Sequence, residues 1–293
     1  IFATGGPFTI AASGTGDLSL RIGQITGSTS ASLGVGLSTG TFSVGPEAGG
    51  NINLAGISIN IQGAFTASAG ASSGNVALGA IAASNVTLNG FNSGLLTGNV
   101  VTGAIAAANG LVRIEAGRTT GNVSTGPISA RTLDINTFGS SIVNGNVNVV
   151  GITAKDAVNI VAGNTSGNIN IGGVSMSTAS HNARFDLNAE AGTITITGPI
   201  SVVATASGAD AEVNLRARAV NVGGNITVRA GATGGTGELS SDAFNGININ
   251  GNILVTGGGT GLGREMAEQF LALGATVHIC GRRKTVLDET AAA

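Results

Sequence analysis

Neither tyrosine nor tryptophan occurs among the 293 residues, lysine stands only at Lys155 and Lys284, and cysteine only at Cys280. Without tyrosine, every mechanism that needs a phenol as acid or base is closed to this chain. A single cysteine makes an internal disulfide impossible. Charged side chains make up 10% of the sequence, well under half of the ~25% usual in soluble domains. The net charge of −2 supplies no basic field to hold nucleic acid, so no nucleic-acid partner is expected. No run of about 18 apolar residues is present, so the chain is not expected to be transmembrane. With 42% apolar residues the balance is the reverse of a disordered chain. The 50 glycines lack the every-third-residue period of collagen. The chain opens at Ile1 without a start methionine or signal segment and stops at Ala293, and is expected to be a fragment at both ends.

What is present is a repeat. A Gly-Asn pair followed by Val or Ile begins at Gly50, Gly74, Gly98, Gly121, Gly145 and Gly167, at spacings of 24, 24, 23, 24 and 22 residues. Gly192-Thr193 is a variant, and Gly-Asn-Ile returns at Gly224 and Gly251 after longer intervals. Apolar residues keep register. Ile52, Val76, Val100, Val123, Val147 and Ile169 share the third position of the unit, and Ile57, Ile81, Ile105, Ile128 and Ile152 the eighth. Residues 1–49 repeat less cleanly, although Gly16-Asp17-Leu18-Ser19-Leu20 reads as another coil start.

Inside each unit apolar residues alternate with small or polar ones, as in Ile169-Asn170-Ile171 and Val158-Asn159-Ile160. A period of two places one face inward and one outward. Glycines interrupt the runs too often for helices. A unit of about 24 residues with two or three short strands predicts one coil of a parallel β-helix, equivalent Val and Ile side chains stacking along its axis. Small residues such as Ala80, Ala104 and Gly151 are expected at the corners. One asparagine per coil, at Asn51, Asn75, Asn99, Asn122, Asn146 and Asn168, is expected to form a hydrogen-bonded ladder and suits a left-handed turn beside glycine. The competing reading makes Gly-Asn a hairpin turn of an antiparallel meander, but hairpins do not require a constant unit length.

Gly-Asn-Val/Ile coils with Thr, Ser and Ala filler, few charges and almost no cysteine resemble the filamentous-haemagglutinin-like exoproteins over about residues 16–251. These are bacterial surface adhesins, often exported by two-partner secretion, whose shafts are right-handed β-helices. The resemblance implies an extracellular or cell-surface location, an outer-membrane secretion partner, and a structural or adhesive role toward a host surface or glycan target.

A β-helix also suits polysaccharide cleavage, which needs paired carboxylates or a cation-assisted base. The acids Asp134, Asp156, Asp186, Glu190, Asp210 and Glu212 are scattered, and only Asp210 and Glu212 are close, with Arg216 and Arg218 nearby. They read as a solvated salt-bridge cluster. His181 has no second ligand at metal-binding spacing. No catalytic site and no metal are expected in this part.

From Ile253 the pattern changes. Of the 28 charged residues, eight lie in the last 42 positions. Ile253-Leu254-Val255 runs into a Gly-rich turn, then Leu262, Met266, Phe270 and Leu273 recur at helical spacing. Gly274 is expected to stop that helix, and Thr276–Cys280 reads as a second strand. Thr256-Gly257-x-x-x-Gly261-x-Gly263, with Gly274-Ala275-x-Val277 before the second strand, resembles the nucleotide-binding start of the short-chain dehydrogenases/reductases. The resemblance implies that Gly257, Gly261 and Gly263 shape the turn and that the Leu262 backbone faces a pyrophosphate. Gly281-Arg282-Arg283 replaces the acidic residue of NAD-preferring members, which implies NADP, since guanidinium groups suit a 2′-phosphate. The family's catalytic Ser and Tyr-x-x-x-Lys have no counterpart here, so the segment is expected to be a truncated, vestigial unit, and by itself it would suggest a cytoplasmic protein.

The sequence therefore predicts an all-β chain. Residues 1–251 form a right-handed parallel β-helix of roughly ten coils, about 50 Å long at ~4.8 Å per coil, and 252–293 a short β-α-β segment. The functional expectation is a non-catalytic shaft of a secreted adhesin, without cofactor, and the alternative is an NADP-dependent oxidoreductase present only as its first unit. The string Gly251-Asn252-Ile253 satisfies both patterns, as a recombined gene, an engineered fusion or an assembly artefact would leave it. The first helix is expected to cover the open end of the solenoid, whose unpaired strand edges otherwise invite association.

Overall fold

The computed structural model describes residues 51–292, apart from 56, 70–72, 90–95, 137–143, 232, 250–251, 257–258 and 273–275. The side chains of residues 53, 57, 252–254, 256 and 262 also lie outside the description. Before residue 51 it describes the backbone of four strands, Thr9–Thr15, Leu18–Ile22, Ala31–Thr39 and Thr41–Pro46.

Every strand pairing among the described residues is parallel, which excludes the antiparallel meander and makes the chain a β-solenoid. Three ladders run along the axis. In the first, Ile52, Val76, Val100, Val123, Val147, Ile169, Ile194, Val220 and Ile247 are successive partners. In the second, Ile59, Ile81, Ile105, Ile128, Ile152, Val174, Ile200 and Ile226 are partners. The third joins Phe42, Phe65, Val86, Val112, Leu133, Val158, Phe185, Val213 and Leu239. From Ile52 to Val220 the first ladder's side chains are buried, and Phe65 and Phe185 of the third are fully buried. Each such side chain contributes roughly 1.5–3 kcal/mol of desolvation. Because the repeat places like on like, the core is one continuous column rather than a separate cluster per coil.

The stacking of third-position residues is as the repeat predicts. The eighth-position register differs at its start, where Ile59 rather than Ile57 pairs Ile81, and Ile57 pairs Ala31. A slip of two residues keeps the same side chains inward, so burial does not oppose it. Leu18-Ser19-Leu20 joins the third ladder through Phe42, not the Gly-Asn ladder, and Gly16 and Asp17 lie outside the described residues. The later Gly-Asn-Ile copies also belong elsewhere. Ile226 and Ile253 pair in the second ladder, while the first passes through Ile194, Val220 and Ile247. Those copies stand at longer intervals because they sit on a different face. The solenoid makes about seven turns rather than ten, its coils lengthening from 22–24 residues to 25–27 after Ile169.

Ala80, Ala104 and Gly151 occupy the turn between the first and second ladders. The Ile59, Ile81 and Ile128 amides donate to their carbonyls at 2.8, 2.8 and 2.9 Å, so the corners are pinned coil to coil. Thr102 and Thr125 are buried beside them, each hydroxyl donating to the next residue's carbonyl at 3.0 Å.

At the C-terminal end, strand Asn252–Thr256 continues the second ladder through Ile226↔Ile253 and pairs in parallel with Thr276–Cys280. Helix α1 (Gly261–Ala272) connects them and helix α2 (Lys284–Ala291) follows. One strand thus serves both the solenoid and the β-α-β unit. Ala267 and Phe270 of α1 are buried with Val255, and Met266 packs half-buried against the same core. The expected inward face of the helix is therefore observed at Met266 and Phe270. The Leu262 side chain, Leu273 and Gly274 lie outside the described residues.

Candidate functional site

Three surfaces carry the polar chemistry. The first is the asparagine ladder. The backbone amides of Asn75, Asn99, Asn122, Asn146 and Asn168 each donate to Oδ1 of the asparagine one coil earlier, at 2.8, 2.9, 2.8, 2.9 and 2.8 Å. Nδ2 of Asn75, Asn99, Asn122 and Asn146 donates to that same oxygen at 3.2–3.3 Å. Thr193 closes the series, its amide donating to Asn168 Oδ1 at 2.8 Å. A shallow groove of about 500 Å³ follows Asn51, Asn75, Thr97, Asn99, Thr120 and Asn122. The left-handed conformation expected beside these glycines occurs instead at Asn89 (φ 51°) and Asn136 (φ 56°). Both are buried. Asn89 accepts from the Ala69 amide at 2.8 Å and donates to the Glu115 carbonyl at 3.1 Å; Asn136 repeats this with Ala116 and Val161. The repeat does not announce these two internal asparagines, each of which bridges the coil before it and the coil after it.

The second surface is the charged face of the third ladder. Asp134, Asn159, Asp186 and Asn214 are successive partners, Asn159 Nδ2 donating to Asp134 at 2.8 Å and Asn214 Nδ2 to Asp186 at 2.7 Å. Arg184 lies 2.5 Å from Asp186 and 3.4 Å from Glu212. The hydrogen bond and charge of Asp186 push its pKa further up. Arg216 reaches Glu190 at 2.5 Å and Asp242 at 3.9 Å. Asp210 instead accepts from the Thr236 amide at 2.8 Å and Asn182 Nδ2 at 3.4 Å, and Arg218 is exposed. Asp210 and Glu212 therefore face different partners, and among the described residues Arg216 pairs with Glu190 and Asp242 rather than with either of them.

His181 does have an acidic neighbour, one coil earlier. Its Nδ1 lies 3.7 Å from Asp156 Oδ1 and 2.7 Å from Ser180 Oγ. A nucleophile–base–acid relay needs the two ring nitrogens to face opposite partners; here both contacts are to Nδ1. Asp156 also accepts from Arg131 Nε at 2.6 Å and Thr178 Oγ1 at 3.1 Å. Burial alone would raise its pKa, but these bonds and the charges of Arg131 and His181 outweigh it and hold the carboxyl below its ordinary value. Among the described residues no group of three metal-ligating side chains converges, and no helix is long and apolar enough to cross a membrane.

The third surface is the turn before α1. A cleft of about 420 Å³ is lined by Gly259, Thr260, Gly281, Arg282, Arg283 and α2. Of the expected nucleotide-contacting residues, Arg282 and Arg283 stand exposed at this cleft. Gly261 opens α1 with φ +54°, a conformation that favours glycine. Gly263 lies within the first turn, Leu262 is placed by its backbone alone, and Gly257 lies outside the described residues. Gly259 and Thr260 were not singled out from sequence, nor was α2. Thr290 of α2 is buried and its hydroxyl donates to the Gly259 carbonyl at 3.1 Å, so α2 pins the turn. The spacing Val286, Leu287, Thr290 was the available signal.

Compared with known proteins, the chain matches no family model, no curated protein and no solved structure.

Proposed function

We propose that this chain is a non-catalytic structural shaft of a secreted or surface-exposed bacterial adhesin of the filamentous-haemagglutinin-like kind. The β-solenoid is compatible with a structural repeat protein. The observation that supports the reading most is the asparagine ladder, which ties each coil to the next from Asn51 to Thr193 through side-chain bonds to backbone. A solenoid stitched in this way transmits load along its axis and holds a terminal module away from a surface. On this reading an outer-membrane secretion partner exports it, and the host surface or glycan target is met by other parts of the adhesin. An antibody to the shaft should label intact cells of the source; labelling only after lysis would overturn the reading.

A second reading rests on the cleft beside Arg282 and Arg283, where the 2′-phosphate of NADP fits two guanidinium groups. Because the chain has no tyrosine or tryptophan, the fluorescence of NADPH can be titrated against almost no protein background. The shaft reading expects no saturable binding at physiological concentration. Tight binding that is lost in Arg282→Ala would reverse the order of the two readings.

A further inference from the structure

Five Asn-Gly bonds occur in the sequence, at Asn89, Asn109, Asn144, Asn245 and Asn250. Such bonds age when the glycine amide nitrogen attacks the asparagine side-chain carbonyl, which requires a free carboxamide and a free amide. The fold treats these sites very differently. Asn89 is buried and held at both ends of its carboxamide. Asn144 accepts from Ser166 Oγ at 2.8 Å, and the Gly145 amide is engaged by the Ser166 carbonyl at 3.0 Å. Asn109 lies within strand Ile105–Ile114 and accepts from Lys155 Nζ at 2.6 Å. Asn250 lies outside the described residues.

Asn245 is the exception. It is exposed in the turn between strands Gly237–Ala243 and Ile247–Ile249. Only its backbone is tied, its amide donating to the Arg218 carbonyl at 2.6 Å. Among the described residues neither its carboxamide nor the Gly246 amide has a hydrogen-bond partner, and Gly246 sits at φ +111° with nothing within 4 Å of where a Cβ would stand. A glycine there leaves the nitrogen unshielded and the turn free to bring it onto Asn245 Cγ. We infer that Asn245-Gly246 is a built-in site of spontaneous deamidation, while the coil-to-coil bonds protect Asn89, Asn109 and Asn144.

The step balances without a cofactor. The Gly246 nitrogen forms a bond to Asn245 Cγ, the Cγ–Nδ2 bond breaks, and ammonia leaves with the amide proton. Water then opens the cyclic imide at either carbonyl, giving aspartate or isoaspartate. Either product adds a negative charge at the C-terminal end of the rod, and isoaspartate lengthens the backbone at the turn.

The test is a time course of the intact chain in mildly alkaline buffer, read by peptide mass spectrometry with fragment-ion assignment. Asn245 should convert at least about ten-fold faster than Asn89, Asn109 and Asn144, and in urea the four should converge. Gly246→Ala should slow Asn245 selectively in the folded protein. Equal folded-state rates at the four sites, or conversion at Asn89, Asn109 or Asn144 ahead of Asn245, would overturn the inference.

Discussion

Asn99 Oδ1 receives both the backbone amide of Asn122, at 2.8 Å, and its Nδ2, at 3.2 Å. One side-chain oxygen thereby satisfies two donors in the next coil, at the corner that leads into strand Val100–Thr102. The same relationship recurs at Asn51, Asn75 and Asn122, whereas the internal Asn89 and Asn136 each accept from one coil and donate to another.

The ladder asparagines and the internal ones differ in what surrounds them, so their loss should differ in cost. Asn99 is exposed, and in Asn99→Ala water replaces part of the lost bonding, at about 1 kcal/mol. Asn89→Ala strands a buried amide and a buried carbonyl and leaves alanine, without the carboxamide that lets asparagine tolerate it, in the left-handed region, at about 3–4 kcal/mol. Urea unfolding midpoints of the two variants should fall in that order.

Glycines at coil contacts divide into two classes. A Cβ on Gly110 would sit 1.6 Å from the Ser84 carbonyl oxygen, backbone against backbone. Gly110→Ala should therefore cost more than about 3 kcal/mol or prevent folding. At the corner residue Gly151 the nearest atom to such a Cβ is 3.8 Å away. Gly151→Ala should stay within about 0.5 kcal/mol of the parent, and thermal melts of the pair measure the contrast.

Asp156 links stability to acid pH. Burial would raise its pKa, but Arg131 and Thr178, with the charge of His181, hold it below the ordinary value in the folded chain. A carboxyl with a depressed folded pKa contributes stability above its unfolded value and loses it as pH falls through the folded one, here below about pH 4. Asp156→Asn should lower the urea midpoint at neutral pH and flatten its acid limb.

Removing the Phe270 ring should loosen one end only. Phe270 is buried with Val255 and Ala267, so Phe270→Ala should cost about 3–5 kcal/mol locally. Coils interact chiefly with their neighbours. Hydrogen exchange should accelerate across Asn252–Thr256 and Thr276–Cys280 while Val123–Thr125 and Val147–Val149 keep their protection.

Much of this was legible because a solenoid writes its contacts into sequence period. Val76, Val100 and Val123 share a position and stack directly, and the Asn51–Asn168 ladder follows from one asparagine per coil. Legibility failed where two faces carried the same string. Gly224-Asn225-Ile226 copies the first-ladder motif yet runs in the second, since local sequence does not say which corner of the coil has been reached. It failed again at Ile57, where a two-residue slip preserves the inward face. His181 and Asp156, 25 residues apart in sequence, became neighbours only because a coil returns the chain beside itself. The cleft residues Gly259 and Thr260 depend on α2 folding back onto the turn.

By itself the sequence determined the repeat length, the inward and outward alternation, the asparagine ladder, and the strand-helix-strand order after Ile253. These follow from local periodicity and hydrogen-bonding capacity, which each coil states anew. The tertiary structure alone decided which ladder the later Gly-Asn-Ile copies join, the about seven turns, the ion-pair partners on the third face, and the sharing of strand Asn252–Thr256 between solenoid and β-α-β unit. Those depend on which segments lie one coil apart, a relation set by packing of the whole column rather than by any stretch of residues.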